Sequence, residues 1–486
     1  MSASATSSGH AMRAKRLSPS FLGVYGAGSL MEVTINFALG QFLLFYLTIV
    51  CGLPGALAGL VGLISLAVDA FVDPLVGSIS DNLRGRLGRR HPFIIAAGIP
   101  SGVAMVLLFA IPSGIHGLGL FFYATFLSLS LRIGLSCFQV PYYALGAELS
   151  DDYRERSTIA ASRVAFRVLG TLLATTLSFG LFLAGPGGTT HRAGYVPLAW
   201  SFAAIIAGMG LVSGVGTLGA LGRLHGAPAS GSITLGRFVS EIGEVFRSRS
   251  FRVLFSAILL FFVAQGVAGP LTLYANTYFW KISTEQIRDL SYTYTAGLAL
   301  GMVLAGAASR LFDKRTVAFI GLSMMLLSEL LPAPLKLAGL LPSMGAVMGA
   351  LIAAFALLGA GVSLFVIGYE SMMADAADEH EQLFGSRREG LYFAGLNFSA
   401  KASTGLGVLI AGVMLDAIGF PHGAGAARLA AHLAPRVTNE LALIYGPGVA
   451  VVSVISVTIL FGYRINKGRH EEIIAALGRP KPASRP

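Results

Sequence analysis

The sequence predicts an all-α membrane protein with twelve transmembrane helices. The chain of 486 residues is 54% hydrophobic and only 12% charged, which is about half the charge of an ordinary soluble domain. Apolar stretches of about 20 residues, each long enough to cross a bilayer as a helix, recur from Phe21 to Tyr463. These stretches are apolar on all sides, whereas the strands of a membrane barrel alternate apolar and polar residues.

The apolar runs predict the position of each span along the chain. Lys and Arg gather on the side that holds both termini, so we expect a multi-pass protein of the plasma (inner) membrane with both termini in the cytoplasm. Trp200 and Trp280 fall at outer span ends and are expected to be interfacial anchors. The predicted spans are roughly 21–50, 56–80, 92–112, 117–148, 160–185, 197–220, 253–280, 290–309, 316–335, 344–373, 391–417 and 441–463.

A long polar stretch divides the chain into two halves of six spans. Within this linker, the segment 233–246 has apolar residues at helical spacing, which predicts an amphipathic helix on the membrane surface. The tails 1–18 and 468–486 are polar and are expected to be disordered. The predicted organisation is a cytoplasmic tail 1–20, an N-terminal half 21–220, a cytoplasmic linker 221–252, a C-terminal half 253–463 and a cytoplasmic tail 464–486.

Composition and motifs argue against several classes of protein. The formal charge of +11 follows from the basic cytoplasmic segments, so no nucleic-acid partner is expected. The chain lacks G-x-S-x-G, G-x-x-x-x-G-K-[ST] and H-E-x-x-H, so no enzyme is indicated. Cys51 and Cys137 are far apart in the predicted topology and suggest neither a disulfide nor a cofactor site. We expect a monomer whose partners are the lipid bilayer, a small-molecule solute and a coupling cation.

Ionisable residues at membrane depth carry the functional signal. A charge at the bilayer centre costs roughly 2.5–3.5 kcal/mol or more, so such a residue needs a partner or a function. A few charges near the midplane also argue against a channel, which would need a continuous polar lining. Glu329 and Asp416 lie near span ends and are predicted to be structural. The charged residues at depth are Glu32, Asp69, Asp73, Arg132, Arg163, Arg167 and Lys401.

Asp69 and Asp73 are four residues apart on the second predicted span and therefore share one helix face. Two carboxylates this close in a low dielectric cannot both stay ionised alone, so they share a proton or hold a cation. Pro74 leaves the carbonyl of Ala70 without its helical donor, which offers a further oxygen ligand. The alternative is a structural ion pair with Arg132 or Arg163.

Polar residues also follow one face of the fourth and eleventh predicted spans. Helix-to-helix hydrogen bonding or a structural salt bridge is the alternative to solute binding for both faces. The residues concerned are Arg132, Ser136, Gln139 and Tyr143 on the fourth span and Asn397 and Lys401 on the eleventh.

Several motifs resemble one known family. The stretch 69–94 reads DAFVDPLVGSISDNLRGRLGRRHPFI, and YGAG stands at 25–28. FQVPYYAL at 138–145 is followed by DYRER at 152–156, and SMMADAADEHE and SRREGLYFA lie within 371–401. Together they resemble the glycoside–pentoside–hexuronide:cation symporters, the melibiose-permease-like branch of the major facilitator superfamily. The resemblance extends over nearly the whole chain.

This resemblance implies the major facilitator fold, with twelve helices in two six-helix halves, alternating access and a central cavity. Asp69 and Asp73 match the family's cation-site aspartates, and Ser136 stands where a cation-site hydroxyl is found. Tyr143 stands where a sugar-contacting aromatic residue is found, Lys401 matches a conserved lysine of the eleventh span, and Arg163 matches an arginine of the fifth span. The basic loop between the second and third spans matches a gating loop of the superfamily, here Gly77, Asp81, Arg89 and Arg90.

The function implied is symport of a sugar, glycoside or sugar acid with Na⁺ or H⁺. The family's sugar-binding aspartate on the fourth span is Gln139 here, and the excess of buried positive groups favours a carboxylated sugar or another anion. The alternatives are an amphipathic solute such as a lysolipid, and a sensor or scaffold without transport. The solute is expected to contact Glu32, Arg132, Gln139, Tyr143, Arg163, Asn397 and Lys401.

Overall fold

The computed structural model describes residues 17–185, 188–223, 243–385, 389–423 and 425–478. Within these residues, twelve helices are long and apolar enough to cross a membrane, as predicted. In chain order the spans are Pro19–Val50, Gly55–Asn82, His91–Phe109, Gly117–Glu148, Arg154–Phe182, Arg192–Leu221, Arg249–Trp280, Thr284–Leu311, Lys314–Leu337, Met344–Phe384, Gly390–Ala417 and Pro435–Leu460.

The first six spans and the last six form two bundles that meet along a few helices. In the N-terminal half, the first span packs against the fifth and sixth, and the second against the fourth. In the C-terminal half, the seventh packs against the eleventh and twelfth, and the tenth against the eighth and ninth. The halves meet where the second span contacts the eleventh and the first contacts the seventh.

The side of the bundle that carries Pro19 and Leu460 is called the terminal face here, and the side that carries Val50 and Gly55 is the distal face. Close packing between the halves near the distal face depends on glycine. A Cβ atom at Gly412 of the eleventh span would collide with the backbone of Gly55, and one at Gly59 would lie 2.8 Å from the carbonyl of Val408. Small residues thus allow the second and eleventh helices to approach closely.

Within the described ranges, four spans contain a π-helical turn near the distal face. These turns are Tyr46–Val50, Thr176–Phe182, Ala275–Trp280 and Ile444–Gly448. A π-turn inserts residues into the regular helix and redirects the side chains around it, and such turns are frequent at functional sites.

Three expectations from the sequence are corrected. The tenth span does not end near residue 373 but continues as helix to Phe384, because Met372, Met373 and Ala377 remain buried there. The expected disorder of the last tail is contradicted by a helix at Lys467–Ala476.

That last helix packs against the extension of the tenth span beyond residue 373. Ile473 is fully buried, and His470 Nε2 lies 3.3 Å from Asp375 Oδ1 and 3.4 Å from Asp378 Oδ2. The predicted amphipathic helix of the linker lies largely outside the described residues.

The third correction concerns the tryptophans. Trp200 is 63% exposed, as an interfacial anchor should be, whereas Trp280 is only 2% exposed. Trp280 is the last residue of the π-helical turn of the seventh span. Its indole packs against Phe279, with ring centroids 4.7 Å apart. Trp280 is therefore an interior residue and does not anchor the protein at the membrane surface.

Candidate solute and cation site

The two aspartates of the second span meet a lysine from the opposite half. Lys401 Nζ lies 2.8 Å from Asp69 Oδ2 and 2.5 Å from Asp73 Oδ2. Asp69 is 1% exposed, and Ser136 Oγ donates a hydrogen bond of 2.7 Å to its Oδ1. Arg132 Nη1 stands farther away, 3.9 Å from Asp69 Oδ2. The structure thus brings Asp69, Asp73, Ser136 and Lys401 together as one cluster, the aspartate cluster.

The ammonium of Lys401 stands where the sequence predicts a coupling cation. It balances much of the negative charge of Asp69 and Asp73, and it ties the second span to the eleventh. A buried charge pair of this kind is costly to break by removing one partner, because the remaining charge is left without compensation. The side-chain oxygen Asp73 Oδ1 is buried without a hydrogen-bond partner in the described part of the chain, so it can accept a further hydrogen bond or ligate an ion.

A second group of polar residues surrounds Glu32 of the first span and is called the glutamate cluster. Glu32 is 2% exposed and accepts hydrogen bonds from Tyr143 Oη at 2.7 Å and from Gln139 Nε2 at 3.3 Å. Arg167 of the fifth span forms an ion pair with the same carboxylate. The guanidinium of Arg163 lies over the ring of Tyr143, 4.5 Å from its centroid, which is a cation–π contact.

The fourth span joins the two clusters. Ser136 reaches the aspartate cluster, while Gln139 and Tyr143, one and two turns farther along, reach the glutamate cluster. Arg132 donates to Asn36 Oδ1 at 3.0 Å, so it links the fourth span to the first. The polar face predicted from the spacing on the fourth span therefore contacts partners in the first, second and fifth spans.

Not every predicted residue joins these clusters. Asn397 is exposed and forms no hydrogen bond to either cluster among the described residues. The excess of positive charge is one and stays with a single residue, because Arg132, Arg167 and Lys401 all lie beside carboxylates. Arg163 is the remaining cation of the group, and it has no ion pair within the described part of the chain.

The role of two residues in the contacts between helices was not predicted from the sequence. Asn36 lies four residues after Glu32 and so shares its helix face, a spacing that could have revealed it. Asp416 was predicted to be structural, yet it contacts the opposite half. Its two carboxylate oxygens accept hydrogen bonds of 2.7 Å from the backbone N–H groups of Gly55 and Ala56, at the start of the second span. An acidic group at a helix N-terminus is stabilising there.

Further hydrogen bonds join the halves near Asp416. Gly423 N donates to Gly52 O at 2.9 Å, and the hydroxyl groups of Thr48 and Tyr274 form a short hydrogen bond. On the fifth and eighth spans, Thr176 Oγ1 and Tyr292 Oη are 2.6 Å apart. The halves are therefore bonded to each other at the distal face. This set of contacts, centred on Asp416, is called the distal latch.

The predicted gating loop connects three spans at the terminal face. Arg90 is 6% exposed; it pairs with Asp81 and lies 3.0 Å from Glu148 Oε1. Arg89 lies 2.8 Å from the same oxygen of Glu148. A Cβ atom at Gly77 would meet only ordinary contact, 3.6 Å from Val140. The loop thus fixes the ends of the second and fourth spans through Glu148, and Gly77 shows no steric demand for glycine.

Comparison with known proteins identifies the family. Residues 24–467 match the family described as MFS/sugar transport protein. The chain belongs to that family. The prediction of a glycoside–pentoside–hexuronide:cation symporter is confirmed by this match and by relatives named symporters. This transporter is 24% identical over 471 residues to an uncharacterized symporter of Synechocystis sp., covering 82% of this chain and 85% of that protein.

Other relatives are named by what they carry. The isoprimeverose transporter of Lactiplantibacillus pentosus is 24% identical over 392 residues, covering 79% of this chain and 78% of that one. A sodium-dependent lysophosphatidylcholine symporter of Mus musculus is 34% identical over 158 residues, which is 32% of this chain and 29% of that one.

Solved structures agree on the fold. A crystal structure of a D-xylose–proton symporter has a TM-score of 0.58 at 14% identity, covering 92% of this chain and 96% of that one. A bacterial homologue of the lysosomal transporter Spinster, captured inward-facing, has a TM-score of 0.61 at 15% identity and covers 96% of this chain and 98% of that one. The predicted major facilitator fold is confirmed, and this is the fold of a transporter.

Proposed function

We propose that this transporter carries a sugar, glycoside or sugar acid together with Na⁺ or H⁺ by alternating access. The observation that supports the proposal best is the position of Lys401, whose ammonium group bonds both Asp69 and Asp73 from the opposite half. A cation or proton that neutralises these aspartates takes over the role of the lysine. Binding of the ion and the ion pairs of Lys401 with Asp69 and Asp73 then exclude each other.

The coupling step follows from charge. Without the ion, Lys401 holds the two halves together in the low dielectric of the membrane, where an unpaired charge is costly. When Asp69 and Asp73 receive Na⁺ or a proton, with the hydroxyl of Ser136 as a further oxygen ligand, Lys401 is released. The free ammonium group can then donate hydrogen bonds to a solute in the space between the halves. The ion thereby creates a donor for the solute, which is the basis of symport.

The solute contacts follow from the glutamate cluster. Tyr143 offers a ring to a sugar face, and Gln139 offers an amide to its hydroxyl groups. Arg163 has no ion pair among the described residues, so it is the group that would bind the carboxylate of a sugar acid. Asn397, one helical turn before Lys401, is a further candidate contact once the halves rearrange.

The test is uptake into proteoliposomes that contain the purified full chain. Labelled neutral and acidic sugars are offered with an inward Na⁺ gradient, with an inward proton gradient, and with neither. We expect accumulation above the equilibrium level only with one of the two gradients. Absence of gradient-driven accumulation for every sugar would contradict the proposal.

A second candidate solute is a lysolipid, favoured by the partial similarity to the lysophosphatidylcholine symporter. The same proteoliposomes distinguish it when a labelled lysolipid replaces the sugar. Gradient-driven uptake of the lysolipid alone would assign the transporter to that class.

We also propose that both termini lie in the cytoplasm of a cell whose plasma (inner) membrane holds the protein as a monomer. Single cysteines at Ala184 of the distal face and at Gly85 of the terminal face test the orientation, in a background without Cys51 and Cys137. Both positions are exposed. An impermeant maleimide should label Ala184→Cys but not Gly85→Cys in intact cells. The reverse pattern would contradict the orientation.

A further inference from the structure

A cavity of 270 Å³ lies between the two halves, mostly in the C-terminal half, and its lining includes no residue of the aspartate or glutamate cluster. Its walls come from the seventh to tenth spans and the twelfth, and the first and fifth spans close it on the side of the N-terminal half. Glu329 of the ninth span lies in this wall, eight residues before the distal end at Leu337, about 12 Å at ~1.5 Å per residue. Lys401 lies 16 residues before Ala417, about 24 Å by the same measure. The cavity therefore lies closer to the distal face than the aspartate cluster does.

Three buried polar groups in the cavity wall have no hydrogen-bond partner among the described residues. They are the hydroxyl of Thr175, the side-chain oxygen of Asn276 and the indole N–H of Trp280. These residues are 1%, 1% and 2% exposed. Buried polar groups are almost always paired, because leaving one unpaired costs roughly 1–3 kcal/mol. A ligand that reaches these groups would therefore gain by pairing with one acceptor, one donor and one hydroxyl that is both.

The π-helical turns bring these groups to the cavity. Asn276 and Trp280 belong to the turn of the seventh span, and Tyr445 and Gly446 of the wall belong to that of the twelfth. Thr175 is the residue immediately before the turn of the fifth span. Three separate departures from regular helix thus border one cavity, as expected where helices are shaped around a ligand.

The carboxyl group of Glu329 determines which charge a ligand of the cavity can carry. Its carboxyl group accepts hydrogen bonds from Gln265 Nε2 at 3.3 Å and Ser453 Oγ at 3.2 Å. The described wall contains no Lys, Arg or His, and Glu329 has no ion pair within the described residues. An anionic ligand would meet this carboxyl group without any cation to balance it, so the cavity disfavours sugar acids. Hydroxyl groups of a neutral ligand can donate to the carboxyl oxygens.

The rest of the wall suits a polyhydroxylated molecule. Amides and hydroxyls from Gln41, Gln265 and Ser291 alternate with the rings of Phe37 and Phe355. A few well-placed polar groups in an otherwise apolar and aromatic wall are typical of sites for small organic ligands. The volume lies just below the roughly 300–1,000 Å³ of sites for drug-sized ligands, which fits a monosaccharide and leaves no room for a lysolipid chain.

A line of polar side chains connects the cavity to the glutamate cluster. Arg163, Arg167, Thr171 and Thr175 follow one another at four-residue intervals on the fifth span, so they share a helix face. Arg163 and Arg167 belong to the glutamate cluster, and Thr171 and Thr175 line the cavity.

We propose that this cavity is a binding site for a neutral monosaccharide, separate from the aspartate and glutamate clusters. Glu329, Asn276 and Trp280 supply the polar contacts. The proposal rests on the proposed function only in taking the solute to be a sugar. Because it concerns binding without an ion gradient, its failure can be told apart from a failure of ion coupling.

The two tryptophans of the chain allow a direct test. Trp200 is exposed toward the membrane and Trp280 lies in the cavity wall, so the Trp200→Phe variant reports on Trp280 alone. Its fluorescence is titrated with D-xylose, L-arabinose, D-glucose and D-galactose in turn. We expect a saturable change for at least one of these sugars. No change with any of the four would overturn the proposal.

Two further substitutions in the Trp200→Phe background assign the contacts. Asn276→Ala removes an oxygen that has no hydrogen-bond partner among the described residues, and Glu329→Gln keeps the shape of the side chain. Each should weaken sugar binding by about tenfold, the effect of losing one hydrogen bond of ~1.4 kcal/mol. Ser343→Ala, at the start of the tenth span and away from the cavity, is the matched control.

Three results would contradict the proposal at this stage. The first is unchanged sugar affinity in Asn276→Ala. The second is equal binding of D-glucuronate and D-glucose. The third is a fluorescence change with the diamine putrescine but with no sugar, which would make the cavity a site for organic cations around Glu329.

Discussion

The buried carboxyl groups within the spans have different partners in the two halves of this transporter. In the N-terminal half, Glu32, Asp69 and Asp73 are each matched by a nearby cation, and one of these cations, Lys401, comes from the other half. In the C-terminal half, Glu329 stands in a cavity wall without a described cation and is satisfied by neutral donors.

This difference suits the two regions to different steps, ion coupling and sugar binding. A network of matched charges responds strongly to the arrival of one more cation, because every added charge must be balanced in a low dielectric. A wall of uncharged donors and acceptors around the single carboxyl group of Glu329 instead responds to the hydroxyl groups of a ligand. The charged clusters are therefore suited to ion coupling, and the cavity to binding the hydroxyl groups of a neutral sugar.

The largest effect is expected at the aspartates. Asp69→Asn or Asp73→Asn removes a carboxylate that the coupling ion needs, so gradient-driven accumulation should fall to background while exchange of solute across the membrane survives. Proteoliposomes preloaded with unlabelled sugar measure exchange, and empty ones measure accumulation. Glu472→Gln, an exposed position on the last helix, serves as the control. Accumulation of the solute against its gradient in both aspartate variants would contradict the assignment of ion coupling to Asp69 and Asp73.

A smaller effect is expected at the cavity. Glu329→Gln should raise the solute concentration for half-maximal uptake by about tenfold, as for one lost hydrogen bond, while uptake keeps its dependence on the ion gradient. The measurement is initial uptake rate against sugar concentration at two ion concentrations. If the variant instead loses its ion dependence, Glu329 belongs to the coupling machinery and the comparison between the halves fails.

The smallest effect is expected at the distal latch. Asp416→Ala removes a cap from the second span, a loss of about 1–2 kcal/mol, so the distal face should open more often. Cys51 precedes Gly52 of the latch and reports on opening through its labelling rate with a maleimide, in a Cys137→Ser background. We expect labelling to become several-fold faster. Asp289→Ala, exposed on the same face, is the control, and equal rates in both variants would argue against the latch.

The sequence predicted the charged clusters better than the cavity, for a physical reason. A charge inside an apolar run is conspicuous because the membrane makes it costly, and four-residue spacing places Asp69 with Asp73 on one face. The partner of these aspartates was not predicted from spacing, because Lys401 is far away in the chain and only packing brings it there.

The cavity was not predicted because its residues are individually ordinary. Thr, Asn and Gln are frequent in spans, and Glu329 near a span end was assigned a structural role. Trp280 was misassigned because a regular helix would carry it to the membrane surface, whereas the π-helical turn brings it inside. Local periodicity does not reveal where a helix changes its pitch, so sites shaped by such turns remain hidden until the helices are packed.

The central claim is that Lys401 and the coupling ion exclude each other at Asp69 and Asp73, and the ion affinity of Lys401→Ala tests it most directly. Thermal stability of the purified variant and of the unaltered protein is followed against Na⁺ concentration at two pH values. Removing one partner of a buried ion pair leaves uncompensated charge that costs about 3–5 kcal/mol. The variant should therefore be less stable without the ion and bind the coupling ion, Na⁺ or H⁺, at least about tenfold more tightly. An unchanged or weaker affinity for both ions would contradict the claim.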